Sequence, residues 1–372
     1  MDTVGYRVGN NFFYNVYLAI RDSMNSGQKL EFYCYNQLYG TYDWTVEPEK
    51  NFDDLMSERA FELRNQYERL ILLWSGGTDS HTIYNVFAKN RIHIDEIIVK
   101  TSDRLPWYPE SYVEWLHKNH WDPHTVITSF DQYDSNIRIF DVPDDDWVWK
   151  NKGDLLMFGM NTNADGVKHL VDKNHGGLNY RLIAGYEKTK LVYRNGRWYA
   201  RQIDIPLQTT MGYDDYLERF FLHPKLIIKQ SHIAKHSIKK YIQKNNITLH
   251  NGDWGEAKWP KTAEGYRDWA RSLGLSDELT DGLSFLQKNR SDNLRSIDIT
   301  SQTSYTHLDI GSKIFNDLLT VSDPAVLNYA KGLFNLTSDR KFFEYLNNNY
   351  LREKNQVVNI IPIFSPEYDL GE

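Results

Sequence analysis

Six consecutive residues combine a glycine pair with hydroxyl and carboxylate side chains, a set suited to binding phosphate. They are Ser75, Gly76, Gly77, Thr78, Asp79 and Ser80. The apolar run 70–74 before them predicts a strand, and a helical pattern opens at Asp79. Glycines allow the backbone to approach a ligand closely, and the N–H groups at a helix N-terminus attract phosphate oxygens. We therefore predict a phosphate-binding loop, with hydroxyl donors from Ser75 and Ser80.

The carboxylate of Asp79 indicates what else this loop holds. A carboxylate beside bound phosphates is repelled unless a cation lies between them, so we assign Asp79 to Mg²⁺. No lysine follows the glycines, and their spacing matches neither the P-loop pattern GxxxxGK[ST] nor the dinucleotide-binding pattern GxGxxG. The loop therefore belongs to neither of these two common classes of phosphate-binding motif.

In its strand-loop-helix setting, the segment resembles the SGGxDS motif of the ATP-pyrophosphatase (PP-loop) family, and the resemblance covers residues 65–190. The resemblance implies that the loop grips the pyrophosphate portion of ATP, with Mg²⁺ neutralising its charge. A substrate oxygen then attacks the α phosphorus, pyrophosphate leaves, and a nucleophile displaces AMP from the adenylated intermediate. It also implies that main-chain groups at Lys100, Thr101 and Ser102 hold adenine.

Three further residues take roles from the asparagine-synthetase branch of that family. Glu187 follows a predicted strand and resembles a carboxylate that helps to bind Mg²⁺ and substrate, although a surface carboxylate fits the sequence equally well. Lys225 and Lys229 lie in a basic helical segment and would bind the departing pyrophosphate, as a lysine does in that branch. The favoured alternative for both is the solvated basic face of an amphipathic helix.

Other polar clusters admit a binding role, but a structural role explains them more simply. His232 and His236, at i and i+4, could chelate a metal, yet no nearby acidic residue or third histidine completes the ligand set. The run 144–146 of three aspartates could bind a cation or an amine, although a solvated loop fits it better. Asp103 and Arg104 fit either a substrate contact or a loop ion pair.

The elements that position these residues alternate between apolar strands and helical patterns, which is typical of an α/β fold. We predict strands at residues 70–74, 96–101, 125–128 and 180–184, and helices at 80–89, 108–120 and 164–173. The predicted fold class is α/β, a doubly wound parallel sheet as in PP-loop proteins, with a mostly helical C-terminal region. Ligands are expected outside the carboxyl ends of the strands.

Two regions flank this domain, which we place at residues 65–200. An N-terminal extension, 1–64, contains a predicted helix at 13–24 and a strand at 30–35, and a polar helix runs from 52 to 68. The dipeptide Asn195-Gly196 predicts a hairpin turn. Residues 201–372 are predicted to form a mostly helical substrate or accessory region that ends in an extended segment at 357–364. No low-complexity linker separates the regions, so we expect them to share the cleft.

Composition excludes several classes of function. A net charge of −7 argues against a protein that coats nucleic acid nonspecifically. No apolar run approaches the roughly 18 residues of a membrane helix, and the N-terminus lacks a signal-peptide pattern, so we expect a cytoplasmic protein without a membrane partner. The one cysteine, Cys34, lies in an apolar run that predicts a buried strand thiol. A single cysteine excludes an internal disulfide, a cysteine-built zinc site and a two-cysteine sulfur relay.

Three functional hypotheses follow. The leading one is an ATP-dependent, AMP-forming ligase that adenylates a carbonyl or carboxylate oxygen of a small molecule or nucleoside for attack by ammonia or an amine. Residue 2 is aspartate, so a cysteine-type amidotransferase domain is not expected. The second is a nucleic-acid-modifying enzyme of the tRNA-lysidine type, supported by the basic helix at 225–244 and the abundant aromatic residues. The third is a nucleotide-binding module without turnover, which an intact Asp79 disfavours.

Overall fold

The computed structural model describes residues 3–74, 78–101, 111–131, 171–172, 174–185, 189–204, 211–244, 246, 248–249, 251–253, 339–354, 357–360 and 363–372. Within these ranges the chain forms one parallel sheet, two antiparallel sheets and a two-stranded ribbon. In the same ranges, no helix combines the length and the apolar composition that a membrane span requires.

The elements are numbered in chain order. The strands are β1 (Val4–Val8), β2 (Asn11–Phe13), β3 (Leu30–Cys34), β4 (Arg69–Trp74), β5 (Glu96–Thr101), β6 (Val126–Asp131), β7 (Tyr180–Ala184), β8 (Lys190–Arg194), β9 (Arg197–Arg201), β10 (Leu217–Arg219), β11 (Gly252–Asp253), β12 (Leu351–Lys354), β13 (Val357–Ile360) and β14 (Tyr368–Gly371). The helices are α1 (Val16–Ser26), α2 (Asn36–Tyr39), α3 (Phe52–Gln66), α4 (Thr78–Lys89), α5 (Ser111–Asn119), α6 (Pro224–Lys244) and α7 (Arg340–Asn349), with a 3-10 turn at Phe220–Leu222.

The central sheet has five parallel strands in the order β10-β7-β4-β5-β6. The chain moves outward from β4 through β5 to β6, then returns to the other side of β4 as β7 and β10. The strand order therefore reverses between β4 and β7. In open α/β sheets, connections leave such a point in opposite directions and open a crevice beyond the carboxyl ends of the two strands, where ligands bind.

Both faces of β4 are covered, which explains its continuous apolar sequence. Leu70, Leu72 and Trp74 belong to the larger hydrophobic core, which also contains buried residues of α3, α4 and α5. Ile71 lies on the opposite face, in a second cluster with Val171 and residues of β7 and β10. The sheet is therefore the middle layer of the α/β unit.

An antiparallel sheet of order β2-β1-β3 forms the N-terminal part of the chain. Helix α1 packs on it and is capped by Asn15, whose side chain accepts hydrogen bonds from the Tyr17 and Leu18 backbone N–H groups. The predicted helix and the strand at β3 are confirmed, but β1 and β2 were not predicted. β1 pairs with β2 on one side and with β3 on the other, and this pairing stabilises the two short strands, because strands of this kind are marginal alone.

A second antiparallel sheet has the order β11-β8-β9-β14. The predicted turn at Asn195-Gly196 connects β8 to β9, and both residues have positive φ, 50° and 86°. Strand β14, at the end of the chain, pairs with β9, and Tyr368 stacks on Trp44 with ring centroids 4.4 Å apart. The C-terminal strand is thus fixed against both the hairpin and the N-terminal region.

The α/β class and the parallel arrangement of the central sheet agree with the sequence prediction, which placed four of its five strands. Strands 96–101 and 180–184 have the predicted bounds, and the strand predicted at 125–128 runs from Val126 to Asp131. Of the helix predicted at 164–173, residues 171–172 are described and are helical. Beyond residue 200, the long helix α6 agrees with the expected helical character, but β10 adds an edge strand to the central sheet.

Candidate functional site

The segment 75–77 connects the carboxyl end of β4 to the first turn of α4, at the point where the strand order reverses. Ser75, Gly76 and Gly77 lie outside the described residues, and Thr78 begins the helix. The predicted strand-loop-helix order is therefore confirmed on both sides of the loop. The helix directs its N-terminal backbone N–H groups toward the carboxyl edge of the sheet, which suits an anionic ligand.

Gly185 brings the end of β7 into direct contact with this first helical turn. It is the residue after β7, two positions beyond Ile183, which pairs with Leu72 of β4. A Cβ atom at Gly185 would lie 2.9 Å from Asp79 Cβ, 3.0 Å from Asp79 C and 3.1 Å from Ser80 N. Carbon atoms in contact normally lie about 3.5–4.0 Å apart. Only glycine allows β7 and α4 to approach this closely.

Asp79 and Ser80 are held on the first turn of α4 by this packing. Ser80 is buried and Asp79 is half-buried. A carboxylate at a helix N-terminus is stabilised by the helix dipole, and its oxygens are the ligand type that Mg²⁺ prefers. The absence of a side chain at Gly185 also keeps the neighbouring strand end from displacing Asp79. The donor chemistry of Asp79 and Ser80 is therefore compatible with the predicted Mg²⁺ ion.

His81 lies behind the site in an aromatic cluster that the sequence analysis did not single out. Its ring centroid is 6.0 Å from Trp74, 5.4 Å from Trp115 and 5.7 Å from Tyr84. Neither ring nitrogen has a hydrogen-bond partner among the described residues. Burial lowers the pKa of His81 to about 4, so the ring is neutral at pH 7. It packs the start of α4 against α5.

Of the remaining predicted site residues, Thr101 lies at the carboxyl edge of the sheet. Thr101 ends β5 at the same edge of the sheet as Trp74, and its backbone pairs with Asp131 of β6. Three other sets lie outside the described residues: Glu187, the pair Asp103 and Arg104, and the aspartate run 144–146. The roles proposed for those residues stay predictions.

The two lysines predicted to bind pyrophosphate differ in their surroundings. Lys225 is exposed in the first turn of α6. Lys229 Nζ is 2.7 Å from Glu47 Oε1 and 3.0 Å from the Pro48 carbonyl oxygen, and its side chain is 12% exposed. Lys229 is therefore not part of a solvated basic face, and binding pyrophosphate would require it to leave Glu47.

Glu47 also corrects the expectation that no acidic residue accompanies the histidine pair of α6. His236 Nε2 lies 2.9 Å from Glu47 Oε2, and His232 is within reach of both. The sequence did not indicate this contact because Glu47 lies far from the helix along the chain. Any metal-binding capacity of the pair must now be judged with Glu47 included.

Two buried carboxylates at the amino ends of the strands stabilise the sheet at the edge opposite the loop. Asp95 accepts hydrogen bonds from Arg64 and Arg69, each at 2.6 Å, and from the Leu70 backbone N–H at 2.8 Å. Burial alone would raise the pKa of Asp95, but these hydrogen bonds lower it. Glu96, the first residue of β5, is bound by His175 Nε2 at 2.7 Å. These carboxylates are therefore structural.

No protein-family model matches the chain, and a search of curated proteins found no match.

Proposed function

We propose that this chain binds ATP with Mg²⁺ at the carboxyl edge of the central sheet, between β4 and β7, and cleaves it between the α and β phosphates. The activity is that of an AMP-forming ligase. It adenylates a carbonyl or carboxylate oxygen of an acceptor, which ammonia or an amine then attacks.

One observation carries the proposal: the SGGTDS segment connects β4 to α4 where the strand order reverses. That position is where open α/β sheets bind ligands, whatever the family. The contact of Gly185 with Asp79 and Ser80 adds support, because it brings a second strand end to the same helix N-terminus. These two features support the proposal that the segment binds phosphate and that Asp79 binds its metal ion at this edge of the sheet.

The chemistry transfers an adenylyl group. An acceptor oxygen attacks the α phosphorus, a new P–O bond forms, and the bond from the α phosphorus to the bridging oxygen breaks with release of pyrophosphate. The amine nitrogen then attacks the activated carbon, the C–O bond breaks, AMP leaves with that oxygen, and the nitrogen loses a proton to water or a base. Asp79 and the predicted ligand Glu187 would hold Mg²⁺, which would supply neutralisation of the phosphate charge. The chain contributes mainly positioning.

Nitrogen is the favoured nucleophile because the chain has one cysteine, and Cys34 is buried in β3. A sulfur relay needs an accessible thiol and a partner. The alternative of nucleic-acid modification is weakened because two lysines of α6 are engaged within the protein, although Lys225 is exposed. Lys229 is paired with Glu47, and the buried Lys235 donates a hydrogen bond to the Leu370 carbonyl oxygen at 2.6 Å. The acceptor is therefore proposed to be a small molecule or free nucleoside.

The test uses α-labelled ATP with a panel of acceptors and amines. The wild-type chain should release labelled AMP, and Asp79→Ala should reduce AMP formation by at least about 100-fold, or about 2.7 kcal/mol, because it removes a metal ligand. Asp54→Ala is the matched control, since Asp54 is an exposed carboxylate in the first turn of another helix, α3. Equal activity in the two variants would remove Asp79 from the mechanism.

A further inference from the structure

A cluster of two histidines and a glutamate lies outside the proposed ATP site. His232 and His236 are one helical turn apart on α6, and Glu47 reaches them from the segment between α2 and α3. Each residue offers a ligand atom within 4.8 Å of those of the other two. In the part of the chain that the structure describes, no other group of three such side chains comes this close together.

The orientation of His232 is already fixed in the way that metal-binding histidines require. Its Nε2 lies 2.9 Å from the Trp44 carbonyl oxygen. A carbonyl oxygen only accepts, so Nε2 carries the hydrogen and Nδ1 keeps its lone pair. Histidines that bind metals almost always donate their second ring N–H to such an acceptor.

The charges around Glu47 decide which class of ion fits. Oε1 accepts a hydrogen bond from Lys229, and Oε2 faces His236. The ammonium of Lys229 repels any cation, so a metal held by charge alone, such as Mg²⁺ or Ca²⁺, is disfavoured. Ions that bond strongly to imidazole nitrogen, such as Zn²⁺, Co²⁺ and Ni²⁺, are favoured instead.

We propose that Glu47, His232 and His236 bind a divalent transition-metal ion of the Zn²⁺ class. Two imidazole nitrogens and one carboxylate oxygen are a known donor set for zinc, with a fourth position for water. Ligand atoms about 2.0–2.2 Å from zinc lie about 3.5 Å apart. A pair at the upper limit of 4.8 Å therefore closes by about 1.3 Å, whereas His236 Nε2 and Glu47 Oε2, now 2.9 Å apart, open by about 0.6 Å. His232 is buried while the side chain of His236 is 51% exposed, so the site opens to solvent on one side.

Such an ion would join the segment 44–48 to α6. That segment already contacts the helix through the hydrogen bonds of Trp44 with His232 and of Pro48 with Lys229. Since Trp44 also stacks on Tyr368, the ion would reinforce the packing of the N-terminal region, α6 and the C-terminal strand. If the ion binds only the folded state, the free energy of unfolding rises in proportion to the logarithm of the ion concentration, once that concentration exceeds the dissociation constant.

The test is calorimetric titration of the full chain with Zn²⁺, without ATP and in excess Mg²⁺ so that oxygen-ligand sites are filled. We expect one Zn²⁺ per chain. His236→Ala and Glu47→Gln should each weaken binding by at least about 100-fold, because loss of even an outer partner costs about 10–100-fold. His117→Ala, an exposed histidine on α5, is the control and should bind as the wild type does. Zn²⁺ should raise the melting temperature of the wild type and of the control only.

His236→Ala should fold normally, because its side chain is half exposed, so the result is interpretable even if Glu47→Gln loses stability. Absence of saturable Zn²⁺ binding by the wild type would overturn the proposal. Zn²⁺ affinity of His236→Ala equal to that of His117→Ala would overturn it as well, and would leave the cluster as a hydrogen-bonded ion-pair network. Neither outcome bears on the ATP site.

Discussion

Gly185→Ala tests whether close contact between β7 and α4 holds the proposed ATP site in place. The added methyl group would lie 2.9–3.1 Å from atoms of Asp79 and Ser80, two of which are backbone atoms that cannot rotate away. Against a normal contact of about 3.5–4.0 Å, the overlap is at least about 0.4 Å and reaches about 1 Å. Overpacking of this size costs about 1–3 kcal/mol. Gly185 does not have a positive φ, so the cost arises from contact rather than from backbone conformation.

The strain should be relieved by displacement of the first turn of α4, which carries Asp79. A displacement of about 1 Å costs an enzyme about 100-fold in rate. We therefore expect Gly185→Ala to lower the free energy of unfolding by about 1–3 kcal/mol and to lower AMP formation by about 100-fold. Urea denaturation and the labelled-ATP assay measure the two effects.

Gly177→Ala separates loss of stability from displacement of the site. Gly177 has φ +86°, and apart from its chain neighbours no atom of the described residues lies within 4 Å of the position that an alanine Cβ would occupy. Alanine there therefore costs about 1–2 kcal/mol through backbone strain. This control should lose stability but keep AMP formation. The reasoning is refuted if Gly185→Ala matches the wild type in stability, or if the two glycine variants have the same activity.

Two further predictions concern buried titratable groups. Asp95→Asn should lower the free energy of unfolding by about 2–3 kcal/mol at pH 7, because it weakens the ion pairs with Arg64 and Arg69. The folded-state pKa of Asp95 is lowered, so its contribution is complete above about pH 4 and is lost as pH falls through the folded pKa. In urea denaturation, the difference in free energy of unfolding between the wild type and Asp95→Asn should shrink below pH 4. A difference that stays constant would contradict this role for Asp95. His81→Phe should stabilise the protein by about 1–2 kcal/mol at pH 7, because it removes two buried ring nitrogens without partners among the described residues. The pKa of His81 is lowered to about 4, so the wild type loses stability as pH falls from about 6.5 to 4. His81→Phe should lose less stability over that range, and equal losses in the two proteins would refute this.

The central strands could be predicted from the sequence because their apolar runs are continuous. β4 and β7 are covered on both faces, so burial leaves a clear pattern in the residues themselves. The hairpin turn was equally visible, since Asn195 and Gly196 both adopt the positive φ that such a turn needs. In these elements, local sequence and tertiary environment favour the same structure.

Features set by contacts between distant residues could not be predicted. Strand β10 has three residues, and its pairing with β7 makes it part of the sheet. Gly185 is one glycine among 22, and only the position of α4 shows why a side chain is excluded there. Glu47 reaches the histidines of α6 through tertiary packing. The sequence pattern therefore located the proposed phosphate loop, whereas Gly185 beside it and the cluster of Glu47 with the α6 histidines could be found only from the fold.

The most direct test of the central claim follows oxygen from acceptor to nucleotide. An acceptor identified in the labelled-ATP screen would be prepared with ¹⁸O in its carbonyl or carboxylate group and turned over with ATP and an amine. Attack of that oxygen on the α phosphorus predicts ¹⁸O in the phosphate of AMP, with unlabelled pyrophosphate as the other product. Formation of ADP and phosphate, or AMP without ¹⁸O, would contradict the proposed adenylation.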